Sequence, residues 1–123
     1  MAIRVLVVDD LAFMRDALRA ILEEHGFHVA GEAENGHVAI RRYRELSPDV
    51  VLLDITMPVM NGLTALRHIR RIDPKAVVVM CSALGQQRHI IRAIHLGASD
   101  FVVKPFRPER IVSAISKAAK SHA

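Results

Sequence analysis

With 123 residues, 51% of them hydrophobic and only Phe13, Phe27, Tyr43, Phe101 and Phe106 aromatic, the chain has the material for one domain, 1–123, around an aliphatic core. A formal charge of +4 invites a nucleic-acid reading, but the cations are dispersed (Arg41, Arg42, Arg44; Arg67, Arg70, Arg71; Arg88, Arg92; Lys117, Lys120) without interleaved aromatics or a helix-turn-helix pattern, so solvated helix faces are expected and nucleic acid is not. The lone Cys81 excludes an internal disulfide, and no apolar stretch reads as a signal peptide or reaches the roughly 20 residues of a membrane span, so a cytoplasmic location is expected, with a monomer as the default state.

Ile3 to Val8 reads as a strand that runs straight into Asp9-Asp10. Leu11, Met14, Leu18, Ile21 and Leu22 mark the inward face of a first helix, with Gly26 as its stop. His28 to Ala33 is a more polar strand, suited to a sheet edge. Ala39, Ile40, Tyr43 and Leu46 give a second helix, ended by Ser47-Pro48. Val50 to Leu53 is a third strand, finishing on Asp54 and broken by Pro58 and Asn61-Gly62. Leu63, Leu66 and Ile69 define a third helix, closed by Asp73-Pro74. A fourth strand covers Val77 to Met80, and the helix after it carries Ile90, Ile91 and Ile94 up to Gly97. Phe101 to Val103 is the last strand. A final helix starts near Pro108, with Ile111, Ile115 and Ala118 inward; proline is tolerated in a first turn, where its missing N–H would have no partner.

Strands and helices alternating at near-even spacing predict an α/β fold, a doubly wound parallel sheet covered on both faces. Right-handed crossovers then bring every strand C-terminus to one edge, where open sheets of this kind bind ligands. Asp9, Asp10, Asp54, the Cys81-Ser82 step and Lys104 all fall at that edge. Carboxylates gathered there repel one another unless a cation sits among them. Mg²⁺ suits such a site, being a hard cation that takes one or two carboxylates together with phosphate oxygens. A carboxylate beside Mg²⁺ and a lysine can attack phosphorus to form an acyl phosphate, with Ser82 able to donate its hydroxyl to a phosphoryl oxygen.

Asp9-Asp10, the run Leu53-Asp54-Ile55-Thr56-Met57-Pro58-Val59-Met60-Asn61-Gly62, the pair Ser82-Ala83 and the step Lys104-Pro105-Phe106 resemble the receiver domains of two-component response regulators. The resemblance spans the whole chain in order. Local wording at Ala12-Phe13-Met14-Arg15 and Cys81 to Gln87 is similar to the single-domain chemotaxis type. The resemblance implies a flavodoxin-like fold with five strands in the order 2-1-3-4-5 and five helices. It also implies Asp54 as phosphoacceptor, Asp10 as direct Mg²⁺ ligand, Asp9 as holder of metal-bound water and Thr56 as donor of a backbone carbonyl. Ser82 becomes the hydroxyl that turns toward the phosphoryl group, Lys104 its ionic partner, and Phe101 the switch aromatic. A cis Lys104–Pro105 bond belongs to the same pattern.

As partners the resemblance implies a chemotaxis-type histidine kinase, a flagellar motor switch protein and a phosphatase. It makes the chain a switch that assists its own phosphorylation and dephosphorylation, not a turnover enzyme. The basic charge departs from that group's usual character. Leu84, two residues beyond Ser82, is expected to keep water from the acyl phosphate and lengthen its life. Plainer roles exist for the same residues: Asp9 or Asp10 as caps of the first helix, Ser82 as a loop hydroxyl, Lys104 as a surface lysine, Phe101, Met57 and Met60 as packing, and Cys81 as buried and inert. Three rivals share parts of the pattern. A flavodoxin-like FMN carrier needs a phosphate cradle where Asp9-Asp10 would repel one. An aspartyl-phosphate phosphatase needs a second acid two residues after Asp54, where Thr56 stands. A receiver within a larger regulator would carry a DNA-binding or methylesterase output domain.

Overall fold

A computed structural model describes residues 2–83 and 85–120. Five parallel strands lie in the order β2-β1-β3-β4-β5: β1 (Arg4–Val8), β2 (His28–Ala33), β3 (Val50–Asp54), β4 (Val78–Ala83) and β5 (Asp100–Lys104). Between and after them run α1 (Ala12–Glu24), α2 (Gly36–Leu46), α3 (Gly62–Ile72), α4 (Gln87–His95) and α5 (Pro108–Lys120). The doubly wound architecture is the one expected, with the polar β2 at an edge.

Side chains of each strand alternate between two cores although the sequence does not alternate in polarity, because helices cover both faces. Leu6, Val8, Val51, Leu53, Val78 and Met80 face α2, α3 and α4, packing on Ala39, Tyr43, Leu66, Ile69 and Ala93. Val5, Val7, Val50, Leu52, Val79, Cys81 and Val102 face α1 and α5, packing on Leu18, Leu22, Ile111, Ala114 and Ile115.

One expectation about facing is corrected, and the structure adds the facing of α4 and the full length of β4. Leu11 is the N-cap of α1 and 45% exposed, so it starts the helix without joining its apolar face. Ile91 and Ile94 on α4 are 65% and 55% exposed; Ile90 and Ala93 are the residues that bury, since the helix starts at Gln87 and turns its other side inward. Strand β4 runs three residues past Met80, which places Cys81 and Ser82 within the sheet. Of the basic residues expected on helix surfaces, Arg41, Arg44, Arg67, Arg71, Arg88, Arg92, Lys117 and Lys120 are exposed, while Arg42 and Arg70 are half-buried, Arg70 Nη1 donating to the Ala76 carbonyl at 3.0 Å.

The β3–α3 connection is held at both ends. Gly62 N–H donates to the Ile55 carbonyl at 2.7 Å. A Cβ at Gly62 would overlap the Asp54 carbonyl oxygen, so only glycine fits there. Asn61 caps α3 by accepting from Thr64 N–H at 3.0 Å. Between them Val59 adopts φ 69°, a conformation unfavourable for a β-branched residue, inside a tight turn closed by Met60 N–H to the Pro58 carbonyl at 2.8 Å. Val59 is 82% exposed and gains little burial in return. Val59→Gly is therefore expected to stabilise the protein by about 1 kcal/mol, seen as a higher urea midpoint with unchanged slope. A lower midpoint would mean that the glycine's extra freedom in the unfolded chain outweighs the relieved strain.

Candidate functional site

The C-terminal ends of β1, β3, β4 and β5 build a single acidic pocket with one lysine in it. Asp9 directly follows Val8, which is in register with Leu53, so Asp9 and Asp54 emerge side by side from adjacent strands. Asp54 pairs in register with Cys81, and Ala83 with Lys104. The sequence-predicted acids converge: ligand oxygens of Asp9, Asp10 and Asp54 lie within 4.8 Å of one another. Asp9 and Asp54 are buried, while Asp10 faces solvent.

Lys104 spans the two buried acids, its Nζ 3.0 Å from Asp9 Oδ2 and 3.4 Å from Asp54 Oδ1. Burial pulls the ammonium toward its neutral form, but the hydrogen bond to Asp9 and the charges of Asp54 and Asp9 outweigh that, and its pKa ends above the ordinary value. For Asp54 the balance tips the other way. Burial pushes its pKa up, Lys104 opposes this, and the charges of Asp9 and Asp10 add to the rise, giving about 6. The pocket holds more negative charge than one lysine neutralises.

The donor set fits Mg²⁺: clustered carboxylate oxygens, one exposed ligand open to water, and a buried acid whose ionisation is disfavoured until a further cation arrives. Asp9 has a second task, since its Oδ1 accepts from Leu11 N–H at 3.0 Å and so fixes the turn into α1. No side chain caps α1 at Leu11 itself. Both plain and functional roles thus coexist in one carboxylate.

Ser82 is buried, and its Oγ has no hydrogen-bond partner among the described residues. A buried hydroxyl without a partner costs free energy, and this one lies on β4 one residue beyond Cys81, the register partner of Asp54. Cys81 packs into the α1/α5 core with its thiol pushed up to about 12 by burial, which makes it inert as expected. Met57 and Met60 pack against the opposite core. The Lys104–Pro105 bond is cis.

Phe101 is partly buried against the α2/α3/α4 core. With Val103, Pro105, Phe106 and Arg110 it also lines a surface cavity of about 550 Å³ beside β5 and α5. Arg110 Nη2 donates to the Phe101 carbonyl at 2.7 Å.

Two further residues shape the pocket without any periodicity or spacing to mark them. Arg15 Nη1 donates to the Asp9 carbonyl at 2.7 Å while its Nε reaches Glu32 on β2 at 3.2 Å, so α1 holds the acidic strand end from behind. Gln86 links the end of β4 to the segment after β3, donating to Thr56 Oγ1 at 2.9 Å and accepting from Ala83 N–H at 3.0 Å. Both residues lie in stretches that carry the family resemblance, yet nothing in their type or spacing tells which contacts they make. Leu84 lies outside the described residues.

Residues 5–116 match the family model described as the response regulator receiver domain. The chain is 55% identical over 117 residues to the chemotaxis protein CheY of Thermotoga maritima, covering 95% of this chain and 98% of that one. Among solved structures it superposes on the response regulator domain of Thermotoga maritima CheB with a TM-score of 0.91, 36% identity and 98% of each chain covered. The CheX–CheY–BeF3–Mg²⁺ complex from Borrelia burgdorferi matches with a TM-score of 0.89 at 35% identity, over 94% of this chain and 87% of that one.

Proposed function

Because the chain belongs to the response regulator receiver domain family, we propose that Asp54 is the phosphoacceptor through which its phosphorylation-activated chemotaxis switch is thrown. One observation carries the assignment: Asp54 is the buried acid that shares Lys104 with Asp9 and lies within ligand reach of Asp9 and Asp10. Residues 1–123 would then act as one receiver domain.

A carboxylate with a pKa of about 6 is mostly ionised at neutral pH yet more basic than an ordinary aspartate, which favours nucleophilic attack. An Asp54 oxygen forms the new O–P bond as the P–N bond of a donor phosphohistidine breaks; the electron pair leaves on the imidazole nitrogen, which takes a proton from water. Lys104, already positioned at Asp54, exchanges that contact for a phosphoryl oxygen. The Ser82 hydroxyl, without a partner among the described residues, gains an acceptor in the phosphoryl group. Asp10, Asp54, the Thr56 carbonyl and, through water, Asp9 would hold Mg²⁺, which would supply positive charge to the phosphoryl oxygens. Asp10 fits the direct-ligand role by its exposure, and Asp9 the indirect one because Lys104 and Leu11 N–H already claim its oxygens.

Movement at Ser82 passes to Val103 and Lys104 across the β4–β5 register, and so toward Phe101 as the switch aromatic. The donor in this scheme is a chemotaxis-type histidine kinase in the cytoplasm, the target a flagellar motor switch protein, and a phosphatase resets the monomeric switch. No helix among the described residues is long and apolar enough to cross a membrane.

On the α4 face Ile91 and Ile94 are exposed beside Arg88, Arg92 and His95, which suits an acidic amphipathic segment of the target. Arg92→Glu should weaken binding of such a flagellar switch peptide to the phosphorylated form by about three- to tenfold and flatten its salt dependence. Unchanged affinity and salt slope would remove α4 from the interface. The assignment of Asp54 itself is tested by incubating the protein with a small phosphodonor and Mg²⁺. Intact mass should rise by one phosphoryl group, and protein left unmodified by every donor would overturn the assignment.

A further inference from the structure

The segments that follow β3 and β4 meet through the side chain of Gln86. Its Oε1 accepts from Ala83 N–H at 3.0 Å, and its Nε2 donates to Thr56 Oγ1 at 2.9 Å. Gln86 N–H also donates to the Ala83 carbonyl at 3.1 Å, so Gln86 and Ala83 are joined by backbone and side chain alike. The bridge thus runs from the residue immediately after Ser82 to the residue two beyond Asp54. Ser82 Oγ is buried and has no hydrogen-bond partner among the described residues.

We propose that Gln86 is a latch that stabilises the resting arrangement of the switch. While it spans Ala83 and Thr56, the end of β4 is held where Ser82 cannot use its hydroxyl. Drawing Ser82 toward a phosphoryl group on Asp54 moves Ala83 with it, and the reach from Ala83 to Thr56 no longer matches one glutamine side chain. The Gln86–Thr56 bond must therefore break, and its strength sets how much of the phosphoryl group's binding free energy goes into switching. Gln86 is a positioning residue: it touches neither the acids nor the phosphoryl group. The latch rests on Asp54 being the phosphoacceptor.

Beryllofluoride, a tetrahedral phosphoryl mimic, is the probe, titrated calorimetrically at saturating Mg²⁺. Gln86→Met keeps the side chain's length and removes both bonds; Thr56→Val keeps the backbone and removes only the hydroxyl acceptor. Each variant should bind beryllofluoride about three- to tenfold more tightly, the range expected for losing one side-chain hydrogen bond in the competing state. The double variant should gain no more than the larger single effect, because both changes break the same bond. In metal-free protein, amide exchange at Ala83 should quicken in Gln86→Met and stay slow in Thr56→Val, a readout that needs neither metal nor phosphoryl mimic. Unchanged or weaker beryllofluoride affinity in both variants, or fully additive gains, would overturn the latch alone. Wild-type protein that takes up no beryllofluoride would overturn the Asp54 assignment and the latch with it.

Discussion

Asp54→Asn should lose phosphorylation completely and, in metal-free protein at neutral pH, be more stable than the natural chain. The first effect follows from removing the nucleophile. The second follows from proton linkage. The pKa of Asp54 rises from 3.8 to about 6 on folding, chiefly through burial. Between those values the folded protein holds a proton that the unfolded chain releases. The group's stability contribution is therefore fully present below about pH 3.8 and is lost as pH rises through about 6. A two-unit shift corresponds to at most about 3 kcal/mol, and asparagine, which mimics the neutral acid, should recover on the order of 1–3 kcal/mol of it. Melting curves in chelator should show the variant's advantage at pH 7.5 shrinking toward nothing at pH 4. Added Mg²⁺ should reverse the ranking, since a cation that binds the folded acids stabilises the natural chain by mass action. Equal melting temperatures across the pH range would show that the Asp54 charge carries no such cost.

This functional liability is also why so much of the site could be read from sequence. Val50 to Leu53 is uninterrupted by polar residues because both faces of β3 are covered, so the carboxylate that ends the run stands out. Asp9-Asp10 follows the likewise buried β1, Lys104-Pro105 follows the short apolar run Phe101 to Val103 of the edge strand β5, and parallel connection delivers all of them to one edge. Alternation of helix and strand was equally plain, although the caps at Asn35 and Asn61 that start α2 and α3 emerge only from the structure. The helix faces were less legible. Ile91 and Ile94 repeat at a helical spacing that suits a core, yet α4 is short and buries Ile90 and Ala93, so the pattern reads out a surface. Leu11 looked like the first residue of an apolar stripe but caps the helix instead. The contacts that knit the site, Arg15 to the Asp9 carbonyl and Gln86 to Thr56, depend on where side chains meet across loops, and residue spacing does not encode that.

Lys104→Met should separate metal binding from chemistry. Methionine keeps much of the stem's volume and removes the charge that lies 3.0 Å from Asp9 and 3.4 Å from Asp54. Without it two buried carboxylates face each other unscreened, and the metal-free variant should lose about 3–5 kcal/mol at neutral pH, the usual cost of breaking a buried ion pair. Mg²⁺ competes with the ammonium for the same acids, so its affinity for the variant should rise by about tenfold or more. Phosphorylation by a small donor should nevertheless slow by roughly a hundredfold, because the transferring group loses a fixed positive partner that the metal cannot replace from its own side of the pocket. Tighter metal binding with slower chemistry is a combination that general misfolding does not produce, since a disordered pocket would weaken both. If Mg²⁺ instead bound more weakly while the fold stayed intact by circular dichroism, Lys104 would be an organiser of the acids and not their competing cation, and its place in phosphoryl transfer would have to be given up.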